Sequence, residues 1–316
     1  MKAIVYDKKA KPYQLVERDI PVPEPMRGEV RVRVRAASVN AADWRSMKLG
    51  IIPRSGVFGA DVCGVVDAVG LGVSEWKPGD ELVGDLSGSG FGGFAEFVRA
   101  PASAFVRKPA GLDPLTASAA PLAGVTALQA LRYAGEISPG ESVLVVGAAG
   151  GVGSFAVQLA RLAGARVTAV TSGANVEAVA ALGATRVVDY NREDFTRLSE
   201  RFDLVLAIGG NESMGAYARL LKPEGTCVVV GGSLAQVFAA LLLGPVRSLG
   251  KKKHRALAAR PDARDLSYLL DLVEKGAIAP RIERAYAFSE IPEAMDYAGR
   301  GHARGKLVVD FERRLT

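Results

Sequence analysis

The 316-residue sequence predicts an α/β protein: a β-rich part, then a doubly wound parallel-sheet domain, then a short returning tail. Three observations carry this. "GEVRVRVRAASV" (28–39) alternates valine with arginine, the period-2 mark of a strand with one wet face. "ESVLVVGAAGGVGSFAVQLARLAGA" (141–165) reads as a continuous apolar strand, a glycine loop and a helical repeat in succession. The apolar runs "RVTAVTS", "RVVDY", "FDLVLAIGG" and "TCVVVGG" follow, separated by helical stretches. Strands buried on both faces and joined by helices imply a parallel sheet.

In chain order, "MKAIVYDKKAKPYQL" opens with an apolar run too short for a signal-peptide core, and we read it as an exposed strand. Pro21, Pro23 and Pro25 mark an extended connector. "KPGDELVGDL" (77–86) and "GGFAEFVRA" (92–100) are further strands, each introduced by glycine-rich turn chemistry. Toward the end, "SEIPEAMDYAGRG" (289–301) predicts a helix with Ser289 as N-cap and Gly299 or Gly301 near its end. "GKLVVDF" (305–311) predicts a closing strand. The expected division is residues 1–121, completed by 276–316, around a cofactor-binding domain over 122–275.

Bulk properties narrow the function classes. With 49% hydrophobic and 23% charged residues, the chain has the composition of a soluble globular protein. Its longest apolar run, "VFAALLLGPV" (237–246), is too short to span a bilayer. A cytoplasmic protein is the default expectation. Cys63 and Cys227 lie far apart and give no disulfide framework. The formal charge of +6 is modest, and the one dense basic run, "RSLGKKKHR" (247–255), has no interleaved aromatics. It reads as a solvated face or loop rather than a nucleic-acid platform.

The glycine loop carries the most chemistry. Gly147-x-x-Gly150-x-x-Gly153 departs by one residue from the dinucleotide fingerprint but supplies the same physics. Gly147 turns the chain off the strand, Gly150 and Gly151 let backbone amides approach a pyrophosphate, and Gly153 lets the helix pack on the sheet. The helix N-terminus then faces the phosphate charge. A glycine-rich turn without a ligand is the alternative; a Walker P-loop is excluded because Gly-Lys-Ser/Thr is missing. About twenty residues on, an NAD site carries an acid for the ribose 2′-hydroxyl. Thr171 and Ser172 stand there instead, and Glu177 belongs to the following helix. That favours NADP(H), although the loop holds no cation and Arg192 is the nearest one.

Several further segments complete a pattern: "VNAADW" (39–44), "GADVCGVV" (59–66), "PLAGVTALQAL" (121–131), "LGATRVVDY" and "GHARGKLVV" (301–309). Together with the loop they resemble the zinc-independent quinone oxidoreductase (ζ-crystallin-like) branch of the medium-chain dehydrogenase/reductases, over essentially the whole chain. The resemblance implies a GroES-like β-rich catalytic domain built from both chain ends, a Rossmann domain between them, and a cleft where the two meet. It also implies NADPH-dependent hydride transfer to a small apolar carbonyl or quinone substrate, in a homodimer. Zinc-using relatives place a cysteine and a His-Glu pair where this chain has Ala41-Ala42-Asp43 and Ala60-Asp61. A catalytic zinc needs about three protein ligands, and the chain's two histidines, His254 and His302, lie elsewhere. No metal is expected.

Carried over residue by residue, the catalytic candidates are Asn40, Asp43 and Thr126. "N-A-A-D" equally has the form of a helix cap, and Thr126 could serve its own helix backbone. Beyond Gly147, Gly150, Gly151, Gly153, Thr171 and Ser172, the cofactor set takes in Ala149, Val152, Asn175, Tyr190, Ile208, Gly209, Gly231, Gly232 and Lys306. Ala207 stands where relatives often carry aspartate. Trp44, Met47, Phe58 and Phe91 could line an apolar pocket or belong to the core. Cys63, with no histidine or basic neighbour in its run, reads as a buried structural thiol, and Asp61 as a hydrogen-bonding residue. Competing readings are a metal-free alcohol or aldehyde oxidoreductase and a cofactor-binding protein acting by association, for instance with RNA.

Overall fold

A computed structural model describes residues 1–11, 13–210, 212–231, 251–301 and 303–313. The chain forms two compact units, Met1–Val125 with Arg260–Thr316, and Thr126–Ala259. In the first, β1 (Lys2–Tyr6) and β2 (Leu15–Asp19) form an antiparallel pair. β1 is not an exposed strand as its flanking charges suggested. Ala3 and Ile4 are buried, and Ile4 donates its amide to the Phe94 carbonyl.

The long strand β3 (Glu29–Val39) alternates as its sequence requires, with Val30, Val32 and Val34 buried and Arg33 exposed. Helix α1 (Ala41–Lys48) starts directly after it. β4 (Asp61–Val69), β5 (Glu81–Asp85), β6 (Phe97–Pro101) and β7 (Phe105–Arg107) complete the antiparallel set, β4 and β6 both pairing with β3. Phe58 is fully buried and Met47 nearly so, which assigns both to the core. Trp44 is half-buried and stacks on Gly299, where any Cβ would strike its indole. Phe91 meets Phe58 edge to face. After the short α2 (Pro114–Ser118), helix α3 (Pro121–Ala134) carries the chain from the first unit into the second.

The second unit alternates strand and helix: β8 (Ser142–Val146), α4 (Gly151–Leu162), β9 (Arg166–Thr171), α5 (Val176–Ala181), β10 (Arg186–Asp189), β11 (Phe202–Ile208), α6 (Met214–Leu220), β12 (Leu221–Val230) and β13 (Lys253–Ala256). All pairs are parallel, in the order β10-β9-β8-β11-β12-β13. This is the Rossmann order, and the direction of winding reverses between β8 and β11. β8 is buried along its whole length, as a strand covered on both faces must be. α4 turns Phe155, Ala156, Leu159 and Ala160 inward.

The basic run needs a correction. Residues 247–250 lie outside the described residues, as do the apolar run 237–246 and His302, but Lys253–Ala256 form the edge strand of the parallel sheet, with His254 buried. An edge strand accommodates charged side chains and is protected by them.

The chain then returns to the first unit through α7 (Ala263–Glu274), β14 (Ile282–Ala287), α8 (Ile291–Gly299) and β15 (Lys306–Asp310). β15 pairs antiparallel with β3, Leu307 opposite Val39, so the tail does close the β-rich sheet. The start of α8 differs from expectation. Ser289 sits inside a single 3₁₀ turn, Phe288–Glu290, whose N-cap residue, Ala287, donates its amide to the Glu290 carboxylate, and Glu290 takes the N-cap position of α8 without a side-chain cap bond of its own.

Candidate functional site

In the second unit the glycine loop forms a cradle. Gly147 has φ +77°, and a Cβ there would lie 2.3 Å from the Ile208 carbonyl oxygen, so only glycine lets β8 and β11 end this close. A Cβ on Gly153 would lie 2.1 Å from the Gly147 carbonyl oxygen, which fixes how near α4 approaches the strand tip. Gly150 is the N-cap of α4, extended and without a capping side chain, and a Cβ there would make only an ordinary contact, 3.6 Å to the Gly147 carbonyl oxygen. The helix amides at Gly151, Val152 and Gly153 therefore start from a terminus no side chain covers. An uncovered helix start beside closely approaching backbone fits a pyrophosphate by charge and by shape. Ala149 is buried in the same turn.

The tips of the neighbouring strands gather the rest of this set. Thr171 ends β9 and is buried, and its carbonyl accepts the Tyr190 amide at 3.1 Å. Asn175 is buried and donates from Nδ2 to Ser172 Oγ at 2.9 Å, which shapes the turn after β9. Tyr190 is exposed, and Glu177 lies in α5. Ile208 closes β11, and Gly209 and Gly231, with positive φ, turn the chain off β11 and β12. Ala207 is fully buried within β11. Gly232 lies outside the described residues, as do Asn211 and Ser233. Arg192 is almost fully exposed and reaches Asp189 at 3.7 Å. Asp189, at the tip of β10, comes so close to Gly173 that a Cβ there would lie 2.6 Å from Oδ2.

In the first unit a second group forms where β3, β4, β5 and β15 end together. Ser38, Asp61 and Asp85 stand opposite one another across three strands. Asp61 Oδ2 accepts from Ser38 Oγ (2.6 Å), Asn40 Nδ2 (2.9 Å) and Lys306 Nζ (3.2 Å), and Oδ1 accepts the Leu122 amide (2.9 Å). Lys306 Nζ also donates to Asn40 Oδ1 at 2.6 Å. Asp43 sits below, its Oδ2 accepting the Asn40 amide and its Oδ1 the Gly59 amide. Asn40 is thus the N-cap of α1 by position, while its side chain serves the buried network. Lys306, grouped with the cofactor contacts from sequence, lies here in the first unit. Thr126, nearly buried, follows Leu122 by one turn of α3.

Electrostatics mark the group as unusual. Burial pushes the Asp43 carboxyl up to about 7, against the pull of its two amide donors, and the charge of Asp61 adds to the rise. Burial and Asp61 likewise push Asp85 up to about 6. Cys63, two residues along β4 from Asp61, is buried and its thiol is pushed up to about 12 by that burial, so it is no nucleophile. Sequence reasoning missed Asp85 as a member of the row, and Ser38 with it. Their only sequence signal is a polar residue at or next to the end of a strand. Among the described residues no group of three or more His, Cys, Asp or Glu is placed to hold a metal ion. None of the described helices is long and apolar enough to cross a membrane.

Comparison with known proteins places the chain. A family profile described as an alcohol dehydrogenase GroES-like domain matches residues 26–110, and one described as a zinc-binding dehydrogenase matches 182–309. A chloroplast envelope quinone oxidoreductase homolog of Arabidopsis thaliana is 34% identical, over 92% of each chain. A 2-methylene-furan-3-one reductase of Solanum lycopersicum is 32% identical, over 93% of this chain and 74% of that one. The solved quinone oxidoreductase of Coxiella burnetii superposes with a TM-score of 0.89 at 31% identity, over 99% of both chains. The second profile is named for zinc, yet alanine occupies positions 41, 42 and 60. Matched along its length by such relatives, the chain belongs to the zinc-independent quinone oxidoreductase branch of the medium-chain dehydrogenase/reductases, a branch of NAD(P)H-dependent oxidoreductases.

Proposed function

We propose that the protein is an NADPH-dependent reductase of quinones or α,β-unsaturated carbonyl compounds, working as a cytoplasmic homodimer. The observation that carries the cofactor preference is the tip of β9. Thr171 and Ser172 stand where an acid would repel a 2′-phosphate, and the Ser172 hydroxyl and the Asn175 carboxamide are already held in the turn that would receive it. The substrate class rests on relatives named for a quinone and for a conjugated furanone.

Bound in the glycine cradle, the nicotinamide cofactor supplies the hydride. The chain's own part is binding and orientation: Gly147, Gly150, Gly151 and Gly153 admit the pyrophosphate, and Lys306 and Thr126 hold donors near the start of β15 and in α3. Without a zinc, a substrate carbonyl would be polarised by hydrogen bonds, and the proton that completes reduction can come from water. NADPH and NADH oxidation should be followed with matched panels of quinones, enones and simple aldehydes. Turnover of quinones or enones with NADPH preferred is expected. Preference for aldehydes would favour a metal-free alcohol dehydrogenase, and tighter NADH binding would refute the cofactor assignment. Light scattering on the purified protein tests the dimer.

A further inference from the structure

We propose that Asp61 is a positioning residue for this reaction: it touches no ligand and acts through Lys306, Asn40 and the first turn of α3. The proposal rests on the reductase reading above and deepens it. Its basis is a complete hydrogen-bond account. An ionised carboxylate offers about four lone-pair sites, and Asp61, with no exposed surface, receives four donors: Ser38 Oγ, Asn40 Nδ2, Lys306 Nζ and the Leu122 amide. Nothing remains with which it could accept from a substrate.

The Asn40 carboxamide is committed in the same way. Its oxygen takes Lys306, and its nitrogen gives to Asp61 and, at 3.4 Å, to the Ser38 carbonyl. Lys306 differs. An ammonium has three donors, and the described residues supply two acceptors, Asn40 Oδ1 and Asp61 Oδ2. Among the described residues, one N–H of this buried cation has no acceptor, and its direction is set by the other two. Asp61 fixes that direction from β4, although Lys306 lies 245 residues away in sequence. Through its other oxygen the same carboxylate pins the amide of Leu122, one turn before Thr126. One acid therefore holds both Lys306 and the first turn of α3.

The test is a double-variant cycle with NADPH and a simple 1,4-naphthoquinone. D61N cannot satisfy both sides, because its NH₂ must face either the Leu122 amide or the three donors on the other oxygen. It should lower kcat by about tenfold or more, with KM for the quinone changed less than about threefold. D61E, which keeps the charge, should recover most of the loss. D61N combined with K306M should be no slower than K306M alone, since a residue acting through Lys306 has nothing left to position. Losses that multiply in the double variant, or wild-type kcat in D61N, overturn the proposal. If D61N does not fold, S38A decides. It removes one donor while keeping the ion pair, and should lower kcat about two- to fivefold at constant KM; S38A at wild-type kcat overturns the proposal. A wild-type protein that turns over neither quinones nor enones defeats the reductase reading instead. Amide exchange at Leu122 then decides separately: it should speed up about tenfold or more in D61N and stay nearer wild type in D61E, and unchanged exchange in D61N overturns the positioning role.

Discussion

Asp61 and Asp85 stand directly opposite each other on the antiparallel strands β4 and β5, and both are buried. Like charges in that relation repel. Asp61 has four donors, including a cation; the Ser87 amide donates to Asp85. Burial, with the charge of Asp61 added to it, pushes Asp85 up to about 6, and burial is also the chief cause that pushes Asp43 up to about 7.

A pH dependence of stability follows, with its sign set by proton binding. Unfolded aspartates titrate near 3.9, so between about pH 4 and pH 7 the native state holds protons that the unfolded chain has released. The contribution is full below the unfolded value and is lost as pH rises through 6 and then 7. Urea unfolding at pH 5 and pH 8 should show the protein less stable at pH 8 by on the order of 2–4 kcal/mol from these two groups. D85N should flatten the slope. Stability that rises from pH 5 to pH 8, or a slope untouched by D85N, contradicts the assignment.

The glycine loop predicts a separation between two neighbouring substitutions. A methyl at Gly153 meets the Gly147 carbonyl oxygen at 2.1 Å, backbone against backbone, so α4 must move off the sheet. G153A should cost about 1–3 kcal/mol of stability and weaken cofactor binding together. A methyl at Gly150 finds only the Gly147 carbonyl oxygen, at 3.6 Å, and leaves the fold intact. G150A should keep the wild-type melting temperature while NADPH affinity falls about tenfold or more, because the methyl occupies space the pyrophosphate needs. Fluorescence titration with thermal melts reads both. Equal melting temperatures for the two variants would count against this account of the cradle.

The proposed NADPH preference rests on charge at the tips of β9 and β10. Placing an acid at the end of β9 with S172D should lower NADPH affinity by about 1–3 kcal/mol and leave NADH affinity near wild type. Asp189 already contributes a carboxylate beside Gly173, with Oδ1 held by the Asn191 amide and side chain. D189N removes that charge, and R192A removes the exposed cation across from it. D189N should raise the NADPH/NADH affinity ratio and R192A should lower it. Movement of both ratios in the same direction would show that the 2′-phosphate does not bind near this turn.

Legibility in the sequence tracked how local the cause was. The alternation of β3, the strand–loop–helix around Gly147 and the hydroxyls at Thr171 and Ser172 rest on residues within one turn of each other, and all are readable. β1 was misjudged because its burial depends on Phe94, some ninety residues on, which accepts the Ile4 amide. The run 247–255 reads as a solvated face or loop because three lysines outweigh a short strand signal; only an edge position next to β12 makes Lys253–Ala256 a strand. The buried polar row was the hardest to foresee. Ser38, Asp61, Asp85 and Lys306 converge only through the register of four strands, and no spacing along the chain encodes register between distant strands.

The thiol of Cys63 offers a check on the row's neighbour. Cys63 pairs with Ala36 on one side and Val83 on the other and is almost wholly buried; Cys227 is buried in β12. Burial raises both thiols to about 12. At pH 8 each is a thiolate about one part in ten thousand, and access is blocked as well. An aromatic disulfide reagent should therefore label neither cysteine in the native protein within minutes and should label both once the chain is unfolded in guanidinium. C63A should leave kcat and KM within about twofold of wild type, since a thiolate that is never formed takes no part in hydride transfer. Rapid native labelling of Cys63 accompanied by loss of turnover would instead make it a reactive group beside Asp61 and reopen its role in the site.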